Sequence, residues 1–290
     1  MSSSRSHIAF SSLSSLQLVA TGLDGTLLRS DLTLSPYTRT VLQNLQAVGV
    51  PIVLMSARPP RTLRQFALAA NIRGIAICSN GAIVYDLDEE RIVQEYKLTP
   101  EHIQELIHHL HHIQPHLTFA VETGTFLACE TAFYTSCAPP DACLPSIVDR
   151  HILWQQPQIK IQVHHPNIKA PELYKQLEPF IEKDLYSLTY SSSQFLEIAL
   201  ARVQKGRALA ELCHQWGIPA HSVVAFGNMP NDIPMLQWAG LSLALANAHP
   251  LVQQAAQTIP LSNDEDGCAS ILEELIPRAS RNRICEVPHR

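Results

Sequence analysis

The chain has 290 residues, 46% of them apolar, and a mean hydropathy of +0.02. That length suits one large domain or two modest ones, and the composition excludes wholesale disorder. No run of about 18 apolar residues occurs, which excludes a transmembrane helix. The net charge of −5 lacks the basic footprint of a general nucleic-acid binder.

Residues 1–15 are Ser-rich and free of acidic side chains. No apolar core of signal-peptide length follows Met1, so the segment reads as a disordered tail, with a short transit peptide as the rival reading. Gln17–Gly22 then reads as a buried strand that stops at the turn Asp24-Gly25-Thr26. Ser35–Val48 reads as a helix with Ser35 at its N-cap and Pro36 at its first position. Pro51–Met55 is a second apolar run, Pro59–Ala70 a helix and Gly74–Cys78 a third strand. Strand–helix alternation of this kind predicts a doubly wound parallel α/β sheet.

After Tyr85 the rhythm changes. His102–His112 is a His-rich helix. Phe119–Glu122, Thr125–Cys129 and Ile159–His164 look like exposed alternating strands, followed by a helix at Pro171–Glu182 and a strand at Leu185–Tyr190. The core rhythm is expected to return with a strand at Leu196–Leu200. A helix at Lys205–Trp216 follows, then strands at Val223–Phe226 and Leu241–Leu245. Helices are expected at Asp232–Trp238, 249–256 and 267–276. The predicted organisation is a core of residues 16–85 and 193–277, an inserted α+β cap of residues 86–192, and a loose basic tail from residue 278. Seven scattered cysteines with no C-x-x-C pair read as reduced thiols of a cytoplasmic protein. His108 and His112 stand one helical turn apart, but without an H-E-x-x-H pattern the run reads as a solvated face.

In a doubly wound sheet, ligands bind beyond the carboxyl ends of the strands. Four such places carry polar punctuation: Gly22-Leu23-Asp24-Gly25-Thr26, Ser56-Ala57-Arg58, Lys205-Gly206 and Gly227-Asn228-Met229-Pro230-Asn231-Asp232. With Leu23–Leu28 (LDGTLL), Ser79-Asn80-Gly81-Ala82, Ala246-Asn247-Ala248 and the run from Asn263 to Gly267, this ordered set resembles the haloacid dehalogenase (HAD) superfamily. The likeness is specifically to its Cof-type phosphatases with an inserted α/β cap, and it covers about residues 16–277. The resemblance implies a Mg²⁺-dependent hydrolase of small phosphorylated metabolites such as sugar phosphates. On it, position 22 is the nucleophile and Asp24 the general acid/base. Thr26 is a turn-stabilising hydroxyl of the phosphate site, Ser56 and Lys205 hold the phosphate, and Asn228, Asn231 and Asp232 fall in the metal motif. Arg58 reads as a surface or cap-facing charge.

Two positions depart from that pattern. Position 22 is glycine, which can neither attack phosphorus nor ligate metal. Position 228 is asparagine, a neutral oxygen where the family has a carboxylate. Mg²⁺ prefers carboxylate oxygens, so its binding should be weakened or lost. Two functions follow as expectations. One is a hydrolase-like protein with severely impaired turnover. The other is an inactive pseudo-phosphatase that binds a phosphometabolite or a protein partner.

Overall fold

The computed structural model describes residues 13, 15–137, 144–259 and 261–279. Eight strands form the larger sheet: β1 (Leu18–Gly22), β2 (Ile52–Met55), β3 (Ile75–Cys78), β4 (Ile83–Asp86), β5 (Arg91–Glu95), β12 (Val223–Gly227), β13 (Leu241–Ala244) and β14 (Gln257–Thr258). Their order is β14-β13-β12-β1-β2-β3-β4-β5. The six from β14 to β3 are parallel, and β4 and β5 close the edge antiparallel.

The continuous apolar runs are explained by burial on both faces. Val19, Ile52 and Leu54 point to one side, against α1 (Pro36–Ala47), α2 (Pro60–Ala70) and α9 (Gly267–Leu275). Leu18, Ala20, Val53 and Met55 point to the other, against α6 (Lys205–Gln215), α7 (Ile233–Trp238) and α8 (Pro250–Ala255). Helix α1 starts as expected: Ser35 Oγ accepts the Thr38 N–H at 2.9 Å with Pro36 next in line.

A second sheet has the order β10-β11-β9-β6-β7-β8. Its strands are β6 (Thr118–Glu122), β7 (Leu127–Cys129), β8 (Ser146–Ile147), β9 (Lys160–His164), β10 (Tyr186–Thr189) and β11 (Leu196–Leu200). Helices α3 (Pro100–Ile113) and α5 (Ala170–Leu177) cover one face through Ile103, Ile107, Leu110, Leu173 and Leu177, packed on Phe119, Val121, Ile161 and Val163. The strand register places Glu122 opposite Lys160, and Gln162 opposite both Ala120 and Glu197. These residues therefore share the other face, which looks onto the core. A short helix, α4 (Thr131–Ser136), follows β7.

Several expectations are corrected. Leu196–Leu200 pairs antiparallel with β9 and β10, so it completes the cap sheet and not the core. The core sheet, for its part, continues past Tyr85 to Glu95. β6 and β9 are largely buried rather than exposed, because helices cover one face and the core the other. A loose tail from residue 278 is not what the described residues show at its start: the Leu16 N–H bonds the Arg278 carbonyl at 2.9 Å and Leu16 bridges Ala279, while residues 280–290 lie outside the described residues. Most of the Ser-rich start, with the proposed transit peptide, lies outside the described residues, although Leu13 is buried in the core. On α3, His108, His109 and His112 are exposed, and His108 meets the edge of Trp154. Among the described residues, no helix is long and apolar enough to cross a membrane.

Candidate functional site

The parallel register brings the ends of β1, β2 and β12 side by side, with Gly22 paired to Met55 and Thr21 to Phe226. Asp24, Ser56 and Asn228 thereby reach one rim. Together with Gly22, Lys205, Asn231 and Asp232 they line a cavity of about 260 Å³ under the cap. Thr26 sits at its base, with its hydroxyl donating to Asn228 Oδ1 at 3.0 Å. All eight residues expected from the sequence therefore converge.

Their partners differ from the expectation. Gly22 has an ordinary extended backbone (φ −54°, ψ 156°), so nothing in its dihedrals requires glycine. The adjoining space is taken by a side chain: a Cβ there would stand 2.7 Å from Thr26 Oγ1, so a larger residue would require that hydroxyl to rotate. At Gly25 (φ +65°), a Cβ would stand 2.3 Å from Asn228 Nδ2. The neutral amide of Asn228 thus fills the room between the β1 turn and β12. Asn247 and Asn263 brace this turn from outside, donating to the carbonyls of Gly25 and Leu28 at 2.9 Å each.

Asp24 is held by Arg58 through two parallel bonds, Nε to Oδ2 at 2.8 Å and Nη2 to Oδ1 at 2.7 Å. The Arg58 side chain is 13% exposed. It belongs to the site, and the reading of a surface charge is corrected. Ser56 Oγ accepts the Arg58 N–H at 3.1 Å, which turns the chain after β2 toward the cavity. Lys205 Nζ donates to Asp232 Oδ1 at 2.6 Å, both groups nearly buried. Asp232 Oδ2 accepts the backbone N–H groups of Asn228 and Met229 at 2.9 and 3.0 Å. Asp232 is therefore both a loop cap and the partner of Lys205.

Mg²⁺ is poorly served by this donor set. Gly22 offers no atom, and Asn228 Oδ1 already accepts from Thr26. Both oxygens of Asp24 face a guanidinium, and both of Asp232 are taken by Lys205 and the backbone. Mg²⁺ is usually held by one or two carboxylates together with waters and substrate phosphate, and here every oxygen of Asp24 and Asp232 already has a partner.

The cap contributes residues that sequence reasoning missed. Glu122 accepts from Arg61 at 2.6 and 2.8 Å, a bidentate bridge from β6 to α2. Lys160 pairs with Glu197 across β9 and β11, and donates to the Ala57 carbonyl of the core at 2.8 Å. Glu197 also accepts from Ser191 at 2.8 Å and from Asn80 at 3.2 Å, and Asn80 accepts from Asn231 at 2.9 Å. Asn80 reaches this junction through positive φ at Ser79 and Asn80, which turns the chain sharply after β3. A lone Lys or Glu in each of three largely buried strands (TFAVE, KIQVH, LEIAL) was the available signal.

Burial pushes the Glu197 carboxyl up, but the Lys160 ammonium and the Ser191 and Asn80 hydrogen bonds outweigh it and hold it below its ordinary 4.5. A depressed folded pKa contributes stability that is present above pH 4.5 and lost as pH falls through the folded value. Wild-type melting temperature should therefore drop below that point. Glu197→Gln should melt lower at neutral pH, with a shallower acid decline, in thermal melts from about pH 3 to pH 7. Parallel declines would remove Glu197 from the linkage.

A profile of the haloacid dehalogenase-like hydrolase family matches residues 19–272. A putative phosphatase of Haemophilus influenzae is 28% identical over 277 residues, covering 89% of this chain and 98% of that protein. The pyridoxal phosphate phosphatase YbhA of Escherichia coli is 26% identical over 268 residues, covering 88% and 97%. Among solved structures, SMU.1108c of Streptococcus mutans superposes with a TM-score of 0.81 at 23% identity, covering 91% of this chain and all of that one.

Proposed function

The chain belongs to the haloacid dehalogenase-like hydrolase family, and we propose that it holds the phosphate group of a small phosphorylated metabolite under its cap while turning it over severely impaired or not at all. The observation that carries this reading is the rebuilt end of β1. Position 22 has no side chain, the Thr26 hydroxyl occupies the space beside it, and Arg58 engages both oxygens of Asp24. Phosphoryl transfer needs a nucleophile in line with the leaving oxygen and a group free to move a proton. Position 22 supplies no nucleophilic side chain, and the Asp24 carboxylate is paired with Arg58 until something displaces it.

The phosphate class is supported by relatives, one of them named for pyridoxal phosphate. The cap wall supports a polar, hydroxyl-bearing remainder such as a sugar: Gln162, Ser191, Ser192 and Gln194 face the cavity beside Phe133 and Phe195. The second reading, a direct attack by water steered by Asp24, requires that carboxylate to leave Arg58.

The test is phosphate release from a panel of sugar and nucleotide monophosphates with Mg²⁺, comparing wild type with Asp24→Ala. Wild type should not exceed the variant. Mg²⁺-dependent release at about 1 s⁻¹ or faster, abolished in Asp24→Ala, would return the protein to the working phosphatases.

A further inference from the structure

Among the described residues, eight charged side chains line the cavity, and they stand in four pairs of opposite sign. Arg58 faces Asp24, Arg61 faces Glu122, Lys160 faces Glu197 and Lys205 faces Asp232. Since each of these cations already faces a carboxylate, a phosphate entering the cavity gains strong attraction by taking one of them from its carboxylate. The four pairs are not equal in that respect. The side chains of Glu122, Glu197 and Asp232 are each 2% exposed, whereas Asp24 is 43% exposed. Stripping a buried carboxylate of its partner leaves an uncompensated charge without water and is strongly unfavourable. Asp24 can instead be hydrated when released, so its pair is the least costly to open.

Resting on the proposed phosphate-binding function, we infer that Arg58 is the anion-recognising residue of this cavity and that Asp24 is its resident competitor, exchanged for the oxygens of an incoming phosphate monoester. The guanidinium presents a planar fork that suits two phosphate oxygens as well as it suits a carboxylate. Its placement toward the cavity is supported by the Ser56 hydroxyl at its own N–H and by Phe66, whose ring lies 4.9 Å from the guanidinium carbon. Lys205 and Lys160 then act through their field while staying with their own carboxylates. Asp24 is consequently a gate on affinity, its carboxylate released only once phosphate has taken its place on Arg58.

The test is calorimetric titration of the full chain with inorganic phosphate and with glucose 6-phosphate, on wild type, Asp24→Asn, Arg58→Gln and Arg58→Lys. Asp24→Asn, which removes the competing charge, should bind about fivefold tighter, the upper end of what a partly exposed pair contributes. Arg58→Gln should weaken binding about tenfold or more, and Arg58→Lys should recover part of the loss without the fork. A folding defect would show in the thermal melt of Arg58→Gln and would not reproduce the gain in Asp24→Asn. If wild type binds phosphate but Asp24→Asn binds it equally or more weakly, the exchange is overturned while the phosphate reading stands. If neither wild type nor Asp24→Asn binds either ligand, both are overturned.

Discussion

Gly22→Asp combined with Asn228→Asp should raise Mg²⁺-dependent phosphate release well above that of the natural chain. Removing a covalent nucleophile forfeits orders of magnitude in turnover, so a gain of at least about 100-fold over wild type is the expected scale. The local geometry sets a condition on that gain. The new Cβ at position 22 would stand 2.7 Å from Thr26 Oγ1, so the hydroxyl must rotate away. It is tied to Asn228 Oδ1 at 3.0 Å, and changing residue 228 at the same time rebuilds both ends of that contact. Two added carboxylates beside Asp24 and Asp232 repel one another without a cation. The double variant should therefore melt below wild type in chelator and rise when Mg²⁺ is added, while the wild-type melt stays unmoved. Equal turnover in wild type and double variant would show that the chemistry runs through a different group.

Asp232→Ala should be among the most destabilising single substitutions in the core. It leaves the Lys205 ammonium, 5% exposed, with no carboxylate, and removes the acceptor for the N–H groups of Asn228 and Met229. Breaking one side of a buried pair costs about 3–5 kcal/mol. At about 2–4 °C per kcal/mol for a chain of this size, the melting temperature should fall by roughly 6–20 °C. The double variant Asp232→Asn, Lys205→Met should recover most of that loss, because an amide oxygen still accepts from the loop and no charge stays buried. A melt of Asp232→Ala within a degree or two of wild type would mean that the pair does not hold the loop.

Much of this site could be read from the order of short motifs, because each is local. The glycine at 22, two residues before Asp24 at the end of an apolar run, is legible without any coordinates, and the proposal of lost turnover rests on it. Ser35 before Pro36 states a helix start, and the alternation of strands and helices states a parallel core, since backbone preferences and burial act over a few residues. What only the tertiary structure decided are the pairings between distant segments. Arg58 could have met solvent or the cap, and its fork closes on Asp24 only because β1 and β2 end side by side. Leu196–Leu200 has the apolar pattern of a core strand, yet it pairs with β9 and β10, because an alternating run fits any sheet that buries one of its faces. Glu122, Lys160 and Glu197 look like stray charges in apolar strands. They become the roof of the cavity once strand register places them on one face and the cap brings that face onto the core. Residue type and spacing determine which charges exist and which local turn each one follows. Which charge faces which is decided by the packing of the two sheets, because that energy depends on separations the chain order does not specify.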